Sequence, residues 1–133
     1  MSPPRPSATP KISVIVLNYN GQQWLQRCFE SLEEQTFFPN IETIVVDNNS
    51  PDGSNRLAAE WFQRGIRGRL IQNEVNQYFC EGNNTGATAA TGEFLLFLNP
   101  DVWLEQDCLE KLYDGVVAVG ADAAAPGENA IER

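Results

Sequence analysis

The chain has 133 residues, of which 42% are hydrophobic and 10% aromatic, enough apolar material for one domain with a single core. Its formal net charge of −9 has the wrong sign for binding the phosphates of nucleic acid, so no nucleic-acid partner is expected. The sequence contains no histidine, which excludes a Ser-His-Asp triad, a histidine general base and a histidine metal site.

The first half of the chain shows a proline-rich start followed by alternating strand and helix patterns. Residues 1–10 hold four prolines and are predicted to be a disordered tail. Residues 12–17 are almost continuously apolar and β-branched, which predicts a strand covered on both faces. Apolar side chains at helical spacing over residues 24–32 predict the first helix, and residues 43–46 predict a second buried strand.

The second half continues the same alternation. Residues 57–62 have the spacing of a second helix, and residues 70–71 predict a short third strand. Residues 82–91 are mostly small and predict a third helix, followed by a fourth buried strand over residues 94–98. Apolar residues recur at helical spacing from 104 to 117, which predicts a long amphipathic helix.

This alternation predicts an α/β fold of the Rossmann-like kind. We expect a mostly parallel sheet of about four strands with helices on both faces, in one domain spanning residues 11–119. Residues 120–133 are poor in large apolar residues and are interpreted as a flexible tail or a truncation point. Ligands of open parallel sheets bind beyond the carboxyl ends of the strands, so the residues there are expected to carry the function.

The cysteines and the hydropathy pattern suggest a cellular location. Cys28, Cys80 and Cys108 are widely spaced and odd in number, which fits neither a zinc site nor a disulfide framework. No apolar run reaches the length of a membrane span, and the start of the chain has no signal-peptide pattern. We expect a cytoplasmic protein, either free or peripheral to the inner face of the membrane.

Two oxygen-bearing side chains follow the fourth predicted strand, in the segment Asn99-Pro100-Asp101. Side chains two residues apart in an extended segment project to the same side, and Pro100 favours an extended Asn99. A carboxylate with few other protein ligands, completed by phosphate oxygens and water, is how Mg²⁺ or Mn²⁺ is commonly held on a nucleotide. The alternative interpretation is a turn that caps the following helix.

Further polar residues follow the first two strands. Asp47 could accept hydrogen bonds from a nucleobase or from ribose hydroxyls, and Asn48 offers the donor and acceptor that suit a pyrimidine edge. Tyr19 could stack on a base. Asn, Asp and Gly are also ordinary turn residues, and Ser50 is a good helix cap, so part of this cluster is expected to be structural.

The third predicted helix opens with a glycine-rich segment that contains Asn84. Gly82 and Gly86 permit close backbone approach, and N–H groups at the start of a helix suit an anionic phosphate. The segment has neither the lysine of a Walker loop nor the order of a dinucleotide fingerprint. The alternative interpretation is a helix of small residues that packs tightly on the sheet.

Together, the motifs KISVIVLNYN, IETIVVDNNSPDGS and GNNTGATAATGEFLLFLNPDV resemble a known family. They look like the N-terminal, nucleotide-binding half of an inverting family 2 glycosyltransferase with the GT-A fold, in its rhamnosyltransferase-like branch. The resemblance runs from about residue 11 to residue 119 and implies the strand order 3-2-1-4. It implies transfer of a sugar from a dTDP-, UDP- or GDP-sugar to a hydroxyl of a carbohydrate or lipid-linked acceptor in cell-surface polysaccharide synthesis.

The resemblance also implies roles for particular residues. Donor nucleotide contacts fall on the end of the first strand and on the later polar motifs, namely Leu17, Asn18, Tyr19, Asp47, Asn48, Asn84 and Asn99. Asp101 matches the second acid of the family's metal-binding Asp-x-Asp and would be the principal ligand of Mg²⁺ or Mn²⁺. The family's catalytic base lies in the acceptor-binding half, downstream of these motifs, so neither Glu105 nor Asp107 is assigned to that role.

Two other functions stay open at this point. A catalytically silent nucleotide-sugar-binding or scaffold domain would also explain donor motifs without an acceptor half. A phosphoacceptor domain is a weaker alternative, because Asp47 ends a buried strand but neither Lys11 nor Lys111 lies at a later strand end. Half of a larger fold would leave apolar surface uncovered, so self-association into a homo-oligomer is expected.

Overall fold

The structure, a computed structural model, describes residues 9–120 and the backbone of residues 131–132. Six strands and four α-helices are assigned within that part of the chain. In chain order they are β1 (Ile12–Asn18), α1 (Leu25–Glu33), β2 (Ile41–Asp47), α2 (Asn55–Gln63), β3 (Gly68–Gln72), α3 (Tyr78–Ala89), β4 (Phe94–Leu98), β5 (Trp103–Leu104), α4 (Cys108–Val119) and β6 (Ile131–Glu132). A short 3-10 turn, Phe38–Asn40, leads into β2.

Four strands form one parallel sheet in the order β3-β2-β1-β4. Val16 of β1 lies opposite Val45 of β2 on one side and Leu98 of β4 on the other. This confirms the predicted α/β fold, its strand order and the position of β1 in the middle of the sheet. The short strands β5 and β6 pair separately and antiparallel, so residues 131–132 of the predicted C-terminal tail lie against Trp103 and Leu104.

The main core lies between one face of the sheet and the helices α1, α2 and α4. Val14, Val16 and Val45 project from the sheet into this layer and are completely buried. Phe29 of α1 and Trp61 of α2 stack with ring centroids 4.1 Å apart, which joins two helices over the same strands. Full burial on both faces explains why β1 and β2 read as continuous apolar runs.

In the part of the chain that the structure describes, helix α3 covers the opposite face of the sheet. Gly86 of α3 lies so close to β1 that a Cβ atom there would come within 2.5 Å of Ile15 Cγ2 and 3.2 Å of Val46 Cγ2. Gly82 makes a similar approach to Leu17. The small residues of α3 therefore allow the helix to sit directly on the sheet, as the packing interpretation of this segment predicts.

Three details of the sequence-based prediction are wrong. Helix α3 begins at Tyr78 rather than at Gly82, because polar side chains before it organise an earlier start. Helix α4 begins at Cys108, since Leu104 belongs to the short strand β5. Strand β4 is not covered on both faces, because it is the edge strand and α3 packs over β1 and β2.

The uncovered face of β4 exposes two large apolar side chains. Leu95 and Phe97 are 45% and 50% exposed, whereas Leu98 on the other face is buried. Residues 1–8, 121–130 and 133 lie outside the described residues, so the predicted tails at residues 1–10 and 120–133 stay predictions. Within the part of the chain that is described, no helix has the length and apolar character needed to cross a bilayer.

The close approach of α3 to the sheet gives a matched pair of stability measurements. We expect Gly86→Ala to lower the free energy of unfolding by about 1–3 kcal/mol, because the new methyl group collides with β-branched side chains. Gly115→Ala is the control, since a Cβ atom there meets nothing within 4 Å. Relief of glycine's entropic cost in α4 is expected to stabilise that variant by about 0.5–1 kcal/mol. Urea unfolding followed by circular dichroism measures both, and equal changes would contradict the packing argument.

Candidate functional site

A cleft of about 450 Å³ lies beyond the carboxyl ends of β1, β2 and β4. It occupies the edge of the sheet where parallel α/β folds bind ligands. Its walls come from the segments that follow these strands, from the start of α1 and from the start of α3. The lining residues are Leu17, Tyr19, Asn20, Gly21, Trp24, Asn48, Asn76, Tyr78, Phe79, Asn99, Pro100 and Asp101.

Five of the eight predicted site residues line this one cleft. They are Leu17 and Tyr19 at the end of β1 and just after it, Asn48 after β2, and Asn99 and Asp101 after β4. Because β1 pairs with both β2 and β4, the ends of all three strands meet at one edge. The expected juxtaposition of the first and fourth strand ends is therefore present.

Asp47 lies behind the cleft and is completely buried. Its Oδ1 accepts hydrogen bonds from Asn18 Nδ2 at 2.9 Å and Ser50 Oγ at 2.7 Å. Its Oδ2 accepts from the Ser50 backbone N–H at 3.0 Å and from Gln72 Nε2 at 2.9 Å. The carboxylate of Asp47 thus accepts hydrogen bonds from the ends of β1 and β3 and from the loop that follows β2. Because it is buried, it is not accessible for a phosphoacceptor role.

Asn18 and Asn84, also predicted to contact a nucleotide, are placed outside the lining of the cleft. Asn18 is completely buried, and its amide donates to Asp47 and, at 2.9 Å, to Ser54 Oγ. It also dictates a glycine at position 21, because a Cβ atom there would collide with Asn18 Oδ1. Asn84 is exposed in the second turn of α3, because that helix starts four residues earlier than predicted.

Asn48 lines the cleft while holding the start of α3. Its Nδ2 donates to the Tyr78 carbonyl oxygen at 3.1 Å. Its Oδ1 accepts from Asn73 Nδ2 at 2.9 Å and from the Gln77 backbone N–H at 3.3 Å. The side chain is 1% exposed, so Asn48 shapes this wall of the cleft by fixing the loop between β3 and α3.

Asp101 is the single carboxylate among the described residues that line the cleft. Its residue is exposed, and among the described residues its carboxylate accepts no hydrogen bond. Within the same part of the chain no group of three acidic or cysteine side chains forms a closed metal cage. One free carboxylate beside the Asn99 amide fits a hard cation that keeps most of its ligands as water or ligand oxygens.

A buried glutamine anchors the segment that carries Asp101. Gln35, at the end of α1, donates through Nε2 to the Glu105 carbonyl oxygen at 2.7 Å. Its Oε1 accepts from the Leu109 backbone N–H at 3.1 Å and so satisfies a free donor at the start of α4. The chain after β4 is therefore tied to the core, although nothing in the local sequence pattern marks Gln35.

Cys28 lies in the core beside this site. Burial, with a smaller contribution from the negative charge of Asp101, raises the pKa of the Cys28 thiol to about 12. A thiol with such a pKa stays protonated near neutral pH and is a poor nucleophile. Cys28 is therefore a packing residue, as its place on the apolar face of α1 indicates.

Sequence reasoning missed several residues of the cleft, including Trp24, Asn76, Tyr78 and Phe79. Helical spacing predicts Trp24 on the apolar face of the first helix, but Trp24 lies one residue before α1 and packs on Trp103 with ring centroids 6.4 Å apart. The other three lie in or next to a loop whose length depended on the predicted start of α3. A predicted start of α3 at Tyr78 would place these three residues at the beginning of the helix, beside the carboxyl ends of the strands.

Comparison with known proteins identifies the family. Residues 13–129 match the model of glycosyl transferase family 2, which is most of the chain. The chain is 37% identical over 114 residues to the glycosyltransferase GlyA of Streptococcus pneumoniae serotype 4, covering 86% of this chain and 16% of GlyA. This chain belongs to glycosyl transferase family 2. The resemblance seen in the sequence is confirmed at the level of the family, while the rhamnosyltransferase-like branch stays a prediction.

Two solved structures that bind nucleotide sugars share the fold. S. aureus TarS 1–349 in complex with UDP-GlcNAc superposes with a TM-score of 0.74 at 27% identity, over 81% of this chain and 31% of that one. The mannosyltransferase PcManGT from Pyrobaculum calidifontis, in complex with GDP-Man and Mn²⁺, gives 0.76 at 24% identity, over 86% of this chain and 34% of that one. The chain thus spans a third or less of the lengths of GlyA and TarS 1–349.

The environment of Asp47 predicts a structural role that can be measured without any ligand. We expect Asp47→Ala to lower the free energy of unfolding by about 2–3 kcal/mol, because it removes a buried acceptor that takes four hydrogen bonds from Asn18, Ser50 and Gln72. Urea unfolding of Asp114→Ala, which removes an exposed carboxylate from α4, is the control and is expected to change little. Equal stability of the two variants would show that the buried network is dispensable.

Proposed function

We propose that this chain is the donor-binding part of an inverting glycosyltransferase. It would bind a nucleoside-diphosphate sugar for transfer to an acceptor hydroxyl in the synthesis of a cell-surface polysaccharide or other glycan. The observation that carries the proposal is that Asp101 and Asn99 line the same cleft as Tyr19 and Asn48. A cation-binding carboxylate and an aromatic and amide wall at one sheet edge are the parts that a nucleoside diphosphate requires.

The diphosphate is assigned to the end of the cleft after β4. Asp101 would be the principal protein ligand of Mg²⁺ or Mn²⁺, with Asn99 beside it and diphosphate oxygens and water completing the coordination. The bound cation would neutralise the charge that builds on the departing diphosphate. The described residues that line the cleft include no lysine or arginine, so such a cation would supply the positive charge that faces the diphosphate.

The nucleoside is assigned to the end of the cleft after β2. Adjacent strands lie about 4.8 Å apart, so the ends of β2 and β4, on either side of β1, are separated by about 10 Å. This is the reach of a nucleotide from its diphosphate to its base. Tyr19 and Asn48 would therefore face the nucleoside, and UDP-GlcNAc in the TarS complex supports a nucleotide sugar as the ligand class.

Asp47 and Asn18 are proposed to support the residues that contact the nucleotide and not to contact it themselves. Both are buried behind the lining, where Asp47 at the end of β2 is hydrogen-bonded to Asn18 at the end of β1 and to Gln72 at the end of β3. Asn84 is exposed on α3 and is given no contact with the nucleotide in this proposal. The predicted donor set is thereby reduced to Leu17, Tyr19, Asn48 and Asn99, with Asp101 for the metal.

The general base is proposed to come from outside the described residues. Asp101 is the one carboxylate in the lining of the cleft, and it is assigned to the cation. Asp107, just before α4, pairs with Lys111 at 2.7 Å, and Glu105 lines a different pocket beside α1. The same observation supports the second candidate, a domain that binds nucleotide sugars without transferring them. Nucleotide binding without sugar transfer or hydrolysis would favour that candidate.

Finer points follow from the same proposal. The donor would carry dTDP, UDP or GDP, and the acceptor would be a carbohydrate or a lipid-linked glycan. A lipid-linked acceptor would place the protein at the inner face of the membrane. Leu95 and Phe97, uncovered on β4, offer apolar surface for a homo-oligomer or for the rest of a longer enzyme.

Calorimetric titration tests the donor site. We expect one of UDP, dTDP and GDP to bind in the presence of Mn²⁺ and to lose more than about tenfold in affinity when the metal is chelated. Asp101→Ala is expected to cause a similar loss, whereas Asp114→Ala on the exposed side of α4 leaves the affinity unchanged. Equal binding by wild type and Asp101→Ala would overturn the metal assignment, and no binding of any diphosphate would overturn the donor site.

A further inference from the structure

Tyr78 has a backbone conformation that tyrosine rarely adopts. Its φ of 61° lies in the left-handed region, although glycine or asparagine is the usual residue there. The side chain is also 76% exposed, so burial in the core does not compensate for the strained backbone. An aromatic residue held in a costly conformation, with its side chain largely in solvent, indicates a function beyond folding.

Several side chains hold this turn in place. Asn76 Oδ1 accepts from the Tyr78 backbone N–H at 2.7 Å, and Asn48 Nδ2 donates to the Tyr78 carbonyl oxygen at 3.1 Å. Asn48 is in turn fixed by Asn73 Nδ2 at 2.9 Å. The turn is thus attached to the end of β2, and the position of Tyr78 is set before any ligand arrives.

We propose that Tyr78 is a donor-binding residue that stacks its ring on the nucleobase of the donor. Tyr78 lines the cleft and is joined to Asn48 at the end of β2, and strand spacing puts the ends of β2 and β4 about 10 Å apart. A diphosphate held at Asp101 brings the base, and not the phosphates, within reach of this ring. The inference rests on the proposed donor site and adds to it a contact that the sequence motifs did not indicate.

A base-stacking role and a purely structural role of Tyr78 predict different effects of replacing it. Replacing Tyr78 with a residue that accepts positive φ relieves the strain and removes the ring, so the folded state should become more stable while nucleotide binding becomes weaker. A side chain that served only to support the start of α3 would change stability and binding in the same direction. Opposite signs of the two effects are therefore diagnostic.

The test uses the full chain and three variants. Tyr78→Gly and Tyr78→Asn both suit a left-handed backbone and lack the ring, whereas Tyr78→Phe keeps the ring. We expect the first two variants to melt a few degrees above the wild type and to bind the preferred nucleoside diphosphate roughly tenfold more weakly in calorimetry with Mn²⁺. Tyr78→Phe is expected to bind as the wild type does.

Inorganic pyrophosphate is the control ligand, because it has the diphosphate but no base. Its Mn²⁺-dependent affinity should be the same in all four proteins. A parallel loss of pyrophosphate binding, a lower melting temperature in both ring-less variants, or unchanged nucleotide binding would each overturn the role of Tyr78.

The outcomes also separate this inference from the donor-site proposal. Wild-type binding that is unaffected by Tyr78→Gly but lost in Asp101→Ala would overturn the inference and keep the donor site. Failure of the wild type to bind any nucleoside diphosphate would overturn both.

Discussion

The site depends on one buried carboxylate. Asp47 ends β2 in the centre of the sheet edge, where it is completely shielded from solvent. A charge in such a place is tolerable only when its acceptors are filled, and four hydrogen bonds from Asn18, Ser50 and Gln72 fill them. Those donors lie at the end of β1, in the loop after β2 and at the end of β3. The Asp47 carboxylate therefore sets the relative positions of three segments.

Asn48, the residue after Asp47, connects this buried network to the wall of the cleft. Side chains alternate in direction along an extended segment, so Asp47 points into the structure and Asn48 lies in the wall of the cleft. The Asn48 side chain donates a hydrogen bond to the Tyr78 carbonyl oxygen and so fixes the position of Tyr78. A buried structural network and an exposed strained turn are thereby connected through a single amide side chain.

Local patterns were sufficient for the fold and for part of the site. Continuous apolar runs predicted β1 and β2 because both strands are covered on two faces, and the family resemblance supplied the strand order. The same kind of run misrepresented β4, because a local pattern does not reveal that a strand lies at the edge of a sheet. The sequence likewise shows Asp47 and Asn48 as two polar residues after a strand, and only the hydrogen-bond partners separate the buried support from the lining residue. The start of α3 was missed for a related reason, since Asn48 organises it from 30 residues away.

The composition of the cleft also explains how an acidic protein can accommodate an anionic ligand. Four asparagines and one aspartate line it, so a single formal charge faces the ligand despite a net charge of −9 for the chain. Neutral amides provide donors and acceptors without the repulsion that further carboxylates would add near a diphosphate. With one carboxylate in place, a divalent cation leaves a net positive charge at the end of the cleft after β4. Asparagine at positions 48 and 99 is therefore consistent with the proposed site, in which a metal would supply the positive charge and amides and aromatic rings the selectivity.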